Sequence, residues 1–594
     1  MKELFSLNIY FKRYAGKMLI GVFCIVFSNI ASVYVPVFVR EGLNEAMFYL
    51  NISAGIGSSS FTEIAISASI GFGVCILMAS FIRGVFMFFM RQKIIVVSRQ
   101  IEFDLKNDIY RHYQKLDSAF YRKNFTGDMM ARIGEDVSNV RMYVGPAVMY
   151  FVNIIFTFTA VLYQMFSINP YLSMYVLLPL PVLSYSIYKV SNLINKRTTE
   201  IQTKLSSITT FAQETFAGIR VIKSFGAERN FTHGFENENK EYRKSNLKLA
   251  LVNSFFFPLM LLLIGLSSLI VLYLGGREAA NGRFTSGNIA EFMIYINMLV
   301  WPVASLGWTT ALVQKAAASQ KRINAFLNTA PENLQEEGMP FKFTQEISFS
   351  NVSFRYENAK IDALHNINLT LQKGKIIGIT GKTGCGKSSI VQLLMRLYEP
   401  TSGKITIDGV DLTKYQLSSY RNQVSYVPQD VFLFSETIAA NIAFGSYEED
   451  FNLAQVKEAA AFAELNADLN SLPEGIDTVL GERGVTLSGG QKQRVSISRA
   501  LMRDAAIYVF DDCLSAVDAT TEMKIIRTLS EQLKGKTAII ISHRVAPLAV
   551  ADEIIVLANG EIIEKGTRED LLNLKGEFAA LSKMQAQDLK EFTI

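Results

Sequence analysis

A glycine-rich stretch with a lysine and a serine at its end has the residue types that bind phosphate. Residues Gly381–Ser388 read GKTGCGKS and fit the pattern G-x-x-x-x-G-K-[ST]. Glycines at these positions let backbone N–H groups curl around phosphates, and a following helix adds the positive end of its dipole. We expect Lys387 to reach the β- and γ-phosphates of a nucleotide and the Ser388 hydroxyl to ligate magnesium.

Two adjacent carboxylates supply the second group suited to nucleotide hydrolysis. The apolar run Ile507–Phe510 predicts a buried strand, and it leads directly into Asp511 and Asp512. Asp511 is the expected magnesium-side carboxylate, and the acid after it is the candidate base for activating a water. That second acid is usually Glu, whose carboxylate reaches about 1 Å farther, and a misplacement of about 1 Å can cost on the order of 100-fold in rate.

The elements around these groups predict a strand–loop–helix arrangement. The short apolar strand Ile376–Thr380 runs into the glycine-rich loop, and an amphipathic helix follows it. Residues 347–356, ISFSNVSFRY, alternate apolar and polar residues as a half-buried strand does. Downstream, His543 ends another apolar run, KTAIIISH. The C-terminal part of the chain is therefore predicted to be an α/β nucleotide-binding domain.

Composition places the rest of the chain in a membrane. The chain has 594 residues, of which 49% are hydrophobic, and its mean hydropathy is +0.21. The net charge of +5 is small for this length and does not favour a nucleic-acid partner. The four cysteines (Cys24, Cys75, Cys385 and Cys513) lie far apart, without metal-ligand spacing, and a disulfide framework is not expected.

The N-terminal half predicts a membrane all-α domain of six helices, because a bilayer core needs about 20 mainly apolar residues per helix. Basic residues concentrate before the first helix and in the connections 89–142 and 192–250, so both termini are predicted to be cytoplasmic. Apolar residues at helical spacing in these connections predict long cytoplasmic extensions of the helices. The six segments lie near 18–39, 64–88, 143–167, 171–191, 251–274 and 289–312.

Arg83 stands out as an ionisable residue inside a predicted span. One interpretation is an inward-facing contact for an anionic substrate. The other, more common case is an arginine near the cytoplasmic end of a helix that snorkels to the lipid headgroups. Met87, Phe88, Phe89 and Met90 suit a soft apolar cavity, but lipid-facing or packing roles are more common for such residues.

The composition changes after residue 327. Residues 328–345 are polar and contain two prolines, which predicts a linker. We therefore predict a transmembrane domain at 1–327, a linker at 328–345 and a nucleotide-binding domain at 346–594.

These motifs together resemble those of a half-size ATP-binding cassette (ABC) exporter of the multidrug and lipid-exporter type, along nearly the whole chain. GKTGCGKSS is similar to the Walker A loop, IYVFDD to the Walker B strand, and LSGGQ at Leu487–Gln491 to the family signature. By resemblance, Gln429 is the Q-loop glutamine, a magnesium and water contact, His543 is the switch histidine, and Asp512 occupies the catalytic position where the family usually has Glu. The resemblance also implies a D-loop ending at Asp518 and a set of ATP-binding residues, with Tyr356 as the aromatic ring that stacks on adenine: Tyr356, Gly381, Thr383, Gly384, Cys385, Gly386, Lys387, Ser388 and Ser389.

The resemblance further implies a dimer that uses ATP and Mg²⁺. Each ATP would lie between the Walker A loop of one subunit and the signature of the other, so that Ser488, Gly489, Gly490 and Gln491 would contact the ATP held by the partner. In heterodimeric members an Asp at the position of Asp512 often marks a weak site. We expect such a heterodimer with a second half-transporter; a homodimer with two slow sites is the alternative.

The expected function is ATP-driven export or flipping of an amphipathic compound (a drug, a lipid or a short peptide) by alternating access. Membrane lipid and a small amphipathic substrate are the expected partners, in a bacterial inner membrane. An importer or an ATP-gated channel on the same fold remains open as an alternative. A soluble ATP-driven DNA clamp shares similar signatures, but the six apolar segments argue against it.

Overall fold

We analysed a computed structural model of the chain. It describes residues 2–56, 59–332, 338–357, 359–446, 451–481, 484 and 487–591. The described chain forms two compact units, one of residues 1–114 and 126–329 and one of residues 115–125 and 330–594. The predicted linker at 328–345 lies partly outside the described residues, and the predicted domain boundaries stay predictions.

Helices make up the first unit. Long helices dominate it, and shorter helical segments join them. In chain order the helices of residues 2–329 are α1 (Asn8–Arg13), α2 (Ala15–Ile56), α3 (Ser59–Tyr113), α4 (Ser118–Lys123), α5 (Thr126–Ala131), α6 (Val137–Met142), α7 (Val148–Ile168), α8 (Pro170–Leu177), α9 (Pro179–Ala217), α10 (Ile219–Ser224), α11 (Glu228–Ile270), α12 (Gly276–Ala280) and α13 (Ser286–Leu327), of which α4 belongs to the second unit.

Five described helical stretches are long and apolar enough to cross a membrane. They contain five of the six predicted segments, and they are Ala15–Gly55, Ser60–Tyr113, Thr126–Ile168, Glu228–Ala280 and Ser286–Leu327. The other predicted segment, 171–191, falls on α8 and α9, which meet at Leu178, and it is not among the five. A sixth spanning helix therefore stays a prediction.

A buried ion pair joins α2 to α13 in the first unit. The Glu291 side chain is 0% exposed, and its Oε2 accepts a hydrogen bond from Arg40 at 3.0 Å. The Tyr295 hydroxyl is 2.9 Å from Glu291 Oε1 and 3.2 Å from the Val33 carbonyl oxygen. Gly287 lets the helices approach, since a Cβ there would lie 2.4 Å from the Arg40 carbonyl oxygen. Glu291 lies inside the predicted segment 289–312, so Arg83 is not alone among the ionisable residues of the predicted spans.

The described residues of the second unit form two β-sheets. One has four strands in the order β2-β1-β4-β5, and the other has six in the order β10-β9-β3-β8-β7-β6. In the larger sheet only β10 runs antiparallel to its neighbour. The strands are β1 (Glu346–Phe354), β2 (Leu364–Gln372), β3 (Ile376–Gly381), β4 (Ser402–Ile407), β5 (Val410–Asp411), β6 (Val424–Val427), β7 (Ile507–Asp511), β8 (Thr537–Ile541), β9 (Glu553–Ala558) and β10 (Glu561–Gly566).

Helices accompany these sheets. They are α14 (Lys387–Leu394), α15 (Leu417–Asn422), α16 (Ile438–Ala443), α17 (Leu453–Phe462), α18 (Asn466–Ser471), α19 (Gly489–Leu501), α20 (Ala519–Gln532), α21 (Arg568–Leu574) and α22 (Glu577–Glu591).

The larger sheet is buried on both faces. Along β7, Ile507 and Val509 pack into one apolar cluster, while Tyr508 and Phe510 pack into another. A parallel sheet covered on both faces has continuous apolar strands, which explains why β3, β7 and β8 show no polar alternation. The predicted fold class, a helical membrane domain fused to an α/β ATPase domain, is confirmed.

Candidate active site

The carboxyl ends of three neighbouring parallel strands meet at one cavity. In open α/β sheets, ligands bind outside these strand ends, where the loops converge. Strand β3 leads into the glycine-rich loop, β7 ends at Asp511, and β8 leads to His543. The cavity has a volume of about 340 Å³, and Lys387 and Gln429 also line it.

Backbone geometry explains the glycines of the loop. Gly381, Gly384 and Gly386 have φ angles of 146°, 83° and 102°, which are unfavourable for residues with a Cβ. At Gly381 a Cβ would lie 2.2 Å from the Leu557 carbonyl oxygen, and at Gly386 it would lie 2.4 Å from that of Ala363. The loop therefore passes against two other backbone segments and then enters α14, whose N-terminus lies beside the cavity.

Two side chains of the loop hold positions suited to a phosphate and a cation. The Lys387 ammonium group donates to the carbonyl oxygens of Gly381 at 2.8 Å and Lys382 at 2.9 Å, so it lies inside the curve of the loop. The Ser388 hydroxyl donates to Asp511 Oδ1 at 3.1 Å. Asp511 is 2% exposed, and burial raises the pKa of its carboxyl group, with the nearby Asp512 charge adding to the rise. A carboxylate in such surroundings favours a cationic partner.

Asp512 directly follows Asp511 and is contacted by a histidine. His543 Nδ1 is 2.8 Å from Asp512 Oδ1 and 2.9 Å from Oδ2. Gln429 Nε2 approaches the same carboxylate at 3.5 Å. The backbone of Asp512 has φ 46°, in the left-handed region that Asp and Asn adopt more readily than most residues. The acid, the histidine and the glutamine therefore line one cavity, as the family resemblance implies.

Tyr356 lines the same cavity, and its hydroxyl is fixed. It donates to Gln392 Oε1 at 2.7 Å and lies 3.0 Å from Ser389 Oγ. The Arg122 guanidinium, in α4, lies 4.3 Å from the centre of the Tyr356 ring. This ring is therefore held at its hydroxyl and contacted on its surface by a cation.

The signature residues lie outside this cavity. Ser488 is the N-cap of α19, and its side chain and that of Gln491 form a capping box, with Gln491 Oε1 accepting from the Ser488 backbone N–H at 2.8 Å. A Cβ at Gly490 would lie 2.8 Å from the Ala516 carbonyl oxygen. Asp518 caps α20 at the end of the following loop, and hydrogen bonds from the hydroxyl of Thr520 and the backbone N–H of Thr521 hold its pKa well below the ordinary value.

Most of the predicted ATP-binding and catalytic residues come together. Two do not line the cavity: Gly381, the last residue of β3, and Cys385, which is 6% exposed. Those that line the cavity are Tyr356, Thr383, Gly384, Gly386, Lys387, Ser388, Ser389, Gln429, Asp511, Asp512 and His543.

Sequence reasoning missed Gln392 and Gln493. Gln392 follows Ser388 by four residues on α14, and this helical spacing is the signal that places it near the site. Gln493 donates to Ser515 Oγ at 2.9 Å and accepts from the Ala516 N–H at 3.0 Å, which joins α19 to the loop after Asp512. No sequence spacing indicates that long-range contact.

Family comparisons agree with this geometry. The model of the ABC transporter transmembrane region matches residues 18–303, and the ABC transporter model matches residues 364–515. Among solved structures, a bacterial Atm1-family ABC exporter with ATP bound superposes with a TM-score of 0.79. That match covers 98% of this chain and 99% of the other at 24% identity, so it shows a shared fold.

Curated relatives resemble the chain along most of its length. The probable multidrug resistance ABC transporter ATP-binding/permease protein YheI of Bacillus subtilis is 34% identical over 96% of this chain and 95% of its own. The multidrug resistance-like ATP-binding protein MdlA of Escherichia coli is 35% identical over 82% of each chain. The ATP-dependent lipid A-core flippase of Syntrophus aciditrophicus is 33% identical over 86% of this chain and 84% of its own.

The site, the apolar helices and these relatives lead to the same conclusion. The chain is a multi-pass integral membrane protein of the bacterial inner-membrane type. Its C-terminal domain binds ATP and hydrolyses it, and hydrolysis is coupled to export. Half-size exporters of this kind work as dimers. This chain therefore belongs to the ABC transporters, as a half-size exporter subunit.

Proposed function

We propose that this chain exports an amphipathic compound as one subunit of a heterodimer, and that its own ATP site hydrolyses slowly. The observation that carries the proposal is the short carboxylate of Asp512 in the catalytic position, held by His543 at 2.8 Å. The rest of the phosphate site has the residues that ATP binding needs. The site therefore retains ATP binding while its hydrolytic step is weakened.

Ser388, Gln429 and Asp511 are the residues that would hold Mg²⁺ with the nucleotide. Their oxygen atoms are the ligand type that Mg²⁺ prefers, and the buried Asp511 carboxylate lacks a cationic neighbour at hydrogen-bond distance in the described structure. Bound there, the ion would neutralise charge on the phosphates. Lys387 would contact the β- and γ-phosphates, and Tyr356 would stack on adenine.

His543 and Gln429 would orient the attacking water together with Asp512. A base must lie within hydrogen-bond reach of the proton it accepts. Asp512 stops roughly 1 Å short of a glutamate at this position, and an error of that size can reduce the rate on the order of 100-fold. Both carboxylate oxygens already lie within 2.9 Å of His543 Nδ1, and this contact further restricts the positions that they can take.

The signature of this chain supports activity at the other site of the dimer. Ser488 and Gln491 form the capping box at the start of α19, a helix of 13 residues whose N-terminus favours an anion. We infer that Ser488, Gly489, Gly490 and Gln491 close over ATP bound by the partner, with Asp518 nearby in the D-loop. A homodimer with two slow sites is the alternative assembly.

The relatives support an amphipathic cargo, because their names describe multidrug resistance proteins and lipid A-core flippases. Basic residues flanking the predicted spans predict that both termini are cytoplasmic, on the side where ATP is available. Closure of the cassettes around two ATP molecules would turn the membrane cavity outward, since the γ-phosphates contact both subunits only in the closed state.

Inside-out vesicles that contain the transporter test the function. We expect ATP-dependent uptake of a fluorescent amphipathic dye, and loss of that uptake in a Lys387→Ala variant co-expressed with the same substitution in the partner. Uptake only in right-side-out vesicles would indicate an importer, and an ATP-gated ion current without dye uptake would indicate a channel. Either result would overturn the export proposal.

The assembly is tested with the chain purified alone. A heterodimer subunit should show little ATPase activity by itself and gain activity when a half-transporter with Glu after its Walker B Asp is added. A dimeric mass of the isolated chain, with slow ATPase activity that Asp512→Glu raises several-fold, would instead support the homodimer with two slow sites.

A further inference from the structure

A large cavity in the membrane unit contains two arginines. It has a volume of about 560 Å³ and is lined by residues of α2, α3, α7 and α13. Arg83 and Arg91 are exposed to it, and no carboxylate lines it in the described part of the chain. By contrast Arg99, farther along the same helix, pairs with Glu102 at 3.0 Å.

The arginines belong to one face of α3. Arg83, Met87, Met90 and Arg91 have the spacing i, i+4, i+7 and i+8, and all four line the cavity. A charged side chain within a membrane helix is costly, and such residues usually face a cavity or a partner. Arg83 therefore lines the cavity, which agrees with the inward-facing position in the first interpretation from the sequence.

Amide groups add hydrogen-bond donors to the same cavity. Asn29 Nδ2 donates to Asn153 Oδ1 at 2.9 Å and to the Ile25 carbonyl oxygen at 2.9 Å, while Asn29 Oδ1 accepts from the Thr157 hydroxyl. Because Asn153 Oδ1 is the acceptor in this network, its Nδ2 group stays available as a donor toward the cavity. Two guanidinium groups and an amide donor suit an anion.

The remaining lining is soft and apolar. Met87, Met90, Met149 and Met298 contribute flexible, polarisable side chains that adapt to ligands of irregular shape. Trp301, which is 65% exposed, offers a large flat ring on α13. A hydrocarbon or aromatic tail would fit this part of the cavity.

We propose that the cavity binds an amphipathic anion. Its phosphate, sulfate or carboxylate headgroup pairs with Arg83 and accepts a hydrogen bond from Asn153, and its tail lies along the methionines and Trp301. Arg91 supplies a second positive charge on the same helix face. This inference rests on the proposed export function and names the charge class of the cargo.

Trp301 supplies a binding signal. The chain has two tryptophans, so a Trp308→Phe background leaves Trp301 as the single one. The transporter in nanodiscs of zwitterionic lipid is titrated with lysophosphatidic acid, with lysophosphatidylcholine of the same acyl chain, with dodecyl sulfate below its micellar concentration, and with dodecyltrimethylammonium. We expect the fluorescence of Trp301 to change at concentrations at least ten-fold lower for lysophosphatidic acid than for lysophosphatidylcholine or the cation.

The dodecyl sulfate arm separates two sources of the anion. Binding of dodecyl sulfate together with lysophosphatidic acid would support a general anionic headgroup. Binding of lysophosphatidic acid alone would support a lipid phosphate. Equal affinities for the anionic, zwitterionic and cationic compounds would overturn the proposal.

Variants localise the effect. Arg83→Gln should weaken lysophosphatidic acid binding about ten-fold, and Arg83→Lys should retain part of the affinity. The matched control Arg99→Gln, on the same helix but outside the cavity, should bind normally. Unchanged affinity in a folded Arg83→Gln protein would refute the role of Arg83, with the elution profile on size exclusion as the test of folding.

The outcome is separable from the export proposal. If Arg83→Gln and wild-type protein export a neutral dye equally and the anion preference is absent, only the anion inference fails. If anion binding depends on Arg83 but vesicles show no ATP-dependent export, the proposed function fails and the binding site stands.

Discussion

Replacing Asp512 by Asn tests whether this chain's own site contributes to turnover. The side chains have nearly the same shape, but the amide cannot accept a proton from water. The shorter reach of Asp512 is expected to cost on the order of 100-fold in hydrolysis rate. When a partner with Glu sets the rate, the ATP site of this chain then supplies about one hundredth of the total ATPase activity. Such a ratio corresponds to about 2.7 kcal/mol of activation free energy. Asp512→Asn should therefore leave most steady-state ATPase activity of the reconstituted heterodimer.

Two companion variants make the test decisive. Ser488→Arg places a long cation at the start of α19. It should nearly stop hydrolysis, because the proposed contact between the signature and the ATP bound by the partner is lost. Asp512→Glu should change heterodimer turnover little, but raise a homodimer's turnover several-fold.

Steady-state ATPase at saturating ATP, with equal amounts of folded transporter, is the measurement. Loss of nearly all activity in Asp512→Asn beside an intact partner would show that Asp512 is an effective base and that the weak-site proposal is wrong.

The remaining predictions concern the nucleotide pocket. Lys387→Ala should abolish hydrolysis at this chain's site and weaken nucleotide binding, measured with a fluorescent ATP analogue; the exposed neighbour Lys382→Ala is the control, and equal affinities would contradict the assignment. Tyr356→Ala should weaken ATP binding about five- to ten-fold, because stacking on adenine is lost. Arg122→Ala should weaken it about two- to five-fold, because the cation–π contact with Tyr356 is lost. An unchanged ATP-binding isotherm in either variant would contradict the role of that residue. A bulky thiol reagent at Cys385 should inactivate the protein slowly, because the residue is 6% exposed, and ATP should protect it; activity that persists after stoichiometric labelling would refute the placement.

The phosphate loop could be predicted because its geometry is encoded locally. Gly381, Gly384 and Gly386 have conformations that glycine adopts most easily, and one contiguous pattern of eight residues specifies them. The buried strands β3 and β7 were equally visible as short apolar runs before polar residues. Such features depend on few long-range contacts.

Long-range contacts could not be predicted. The sequence alone does not indicate that Arg122 contacts the Tyr356 ring. The two residues are separated in the sequence by most of the membrane domain, and only folding brings them into one compact unit. The burial of Glu291 could not be predicted, because the residue lies at the start of an apolar segment, where a charged side chain is usually exposed to solvent. In the structure it is buried against Arg40. In both cases the tertiary fold, and not local spacing, creates the interaction.

Ser515 connects the two functional ends of the ATPase domain. Its hydroxyl donates to the Asp512 carbonyl oxygen at 3.1 Å and accepts from Gln493 at 2.9 Å, while its own carbonyl oxygen accepts from Arg544 at 3.2 Å. Gln493 lies on α19, so the backbone that carries Asp512 is joined to the helix that carries the LSGGQ motif. A change confined to the end of the Asp512 side chain leaves these bonds intact, because none of them involves its carboxylate. Under the proposed function, the chain therefore combines a weakened catalytic carboxylate in its own site with an ordered signature for the partner's site, and Asp512→Asn separates the two contributions where a substitution at Ser515 would not.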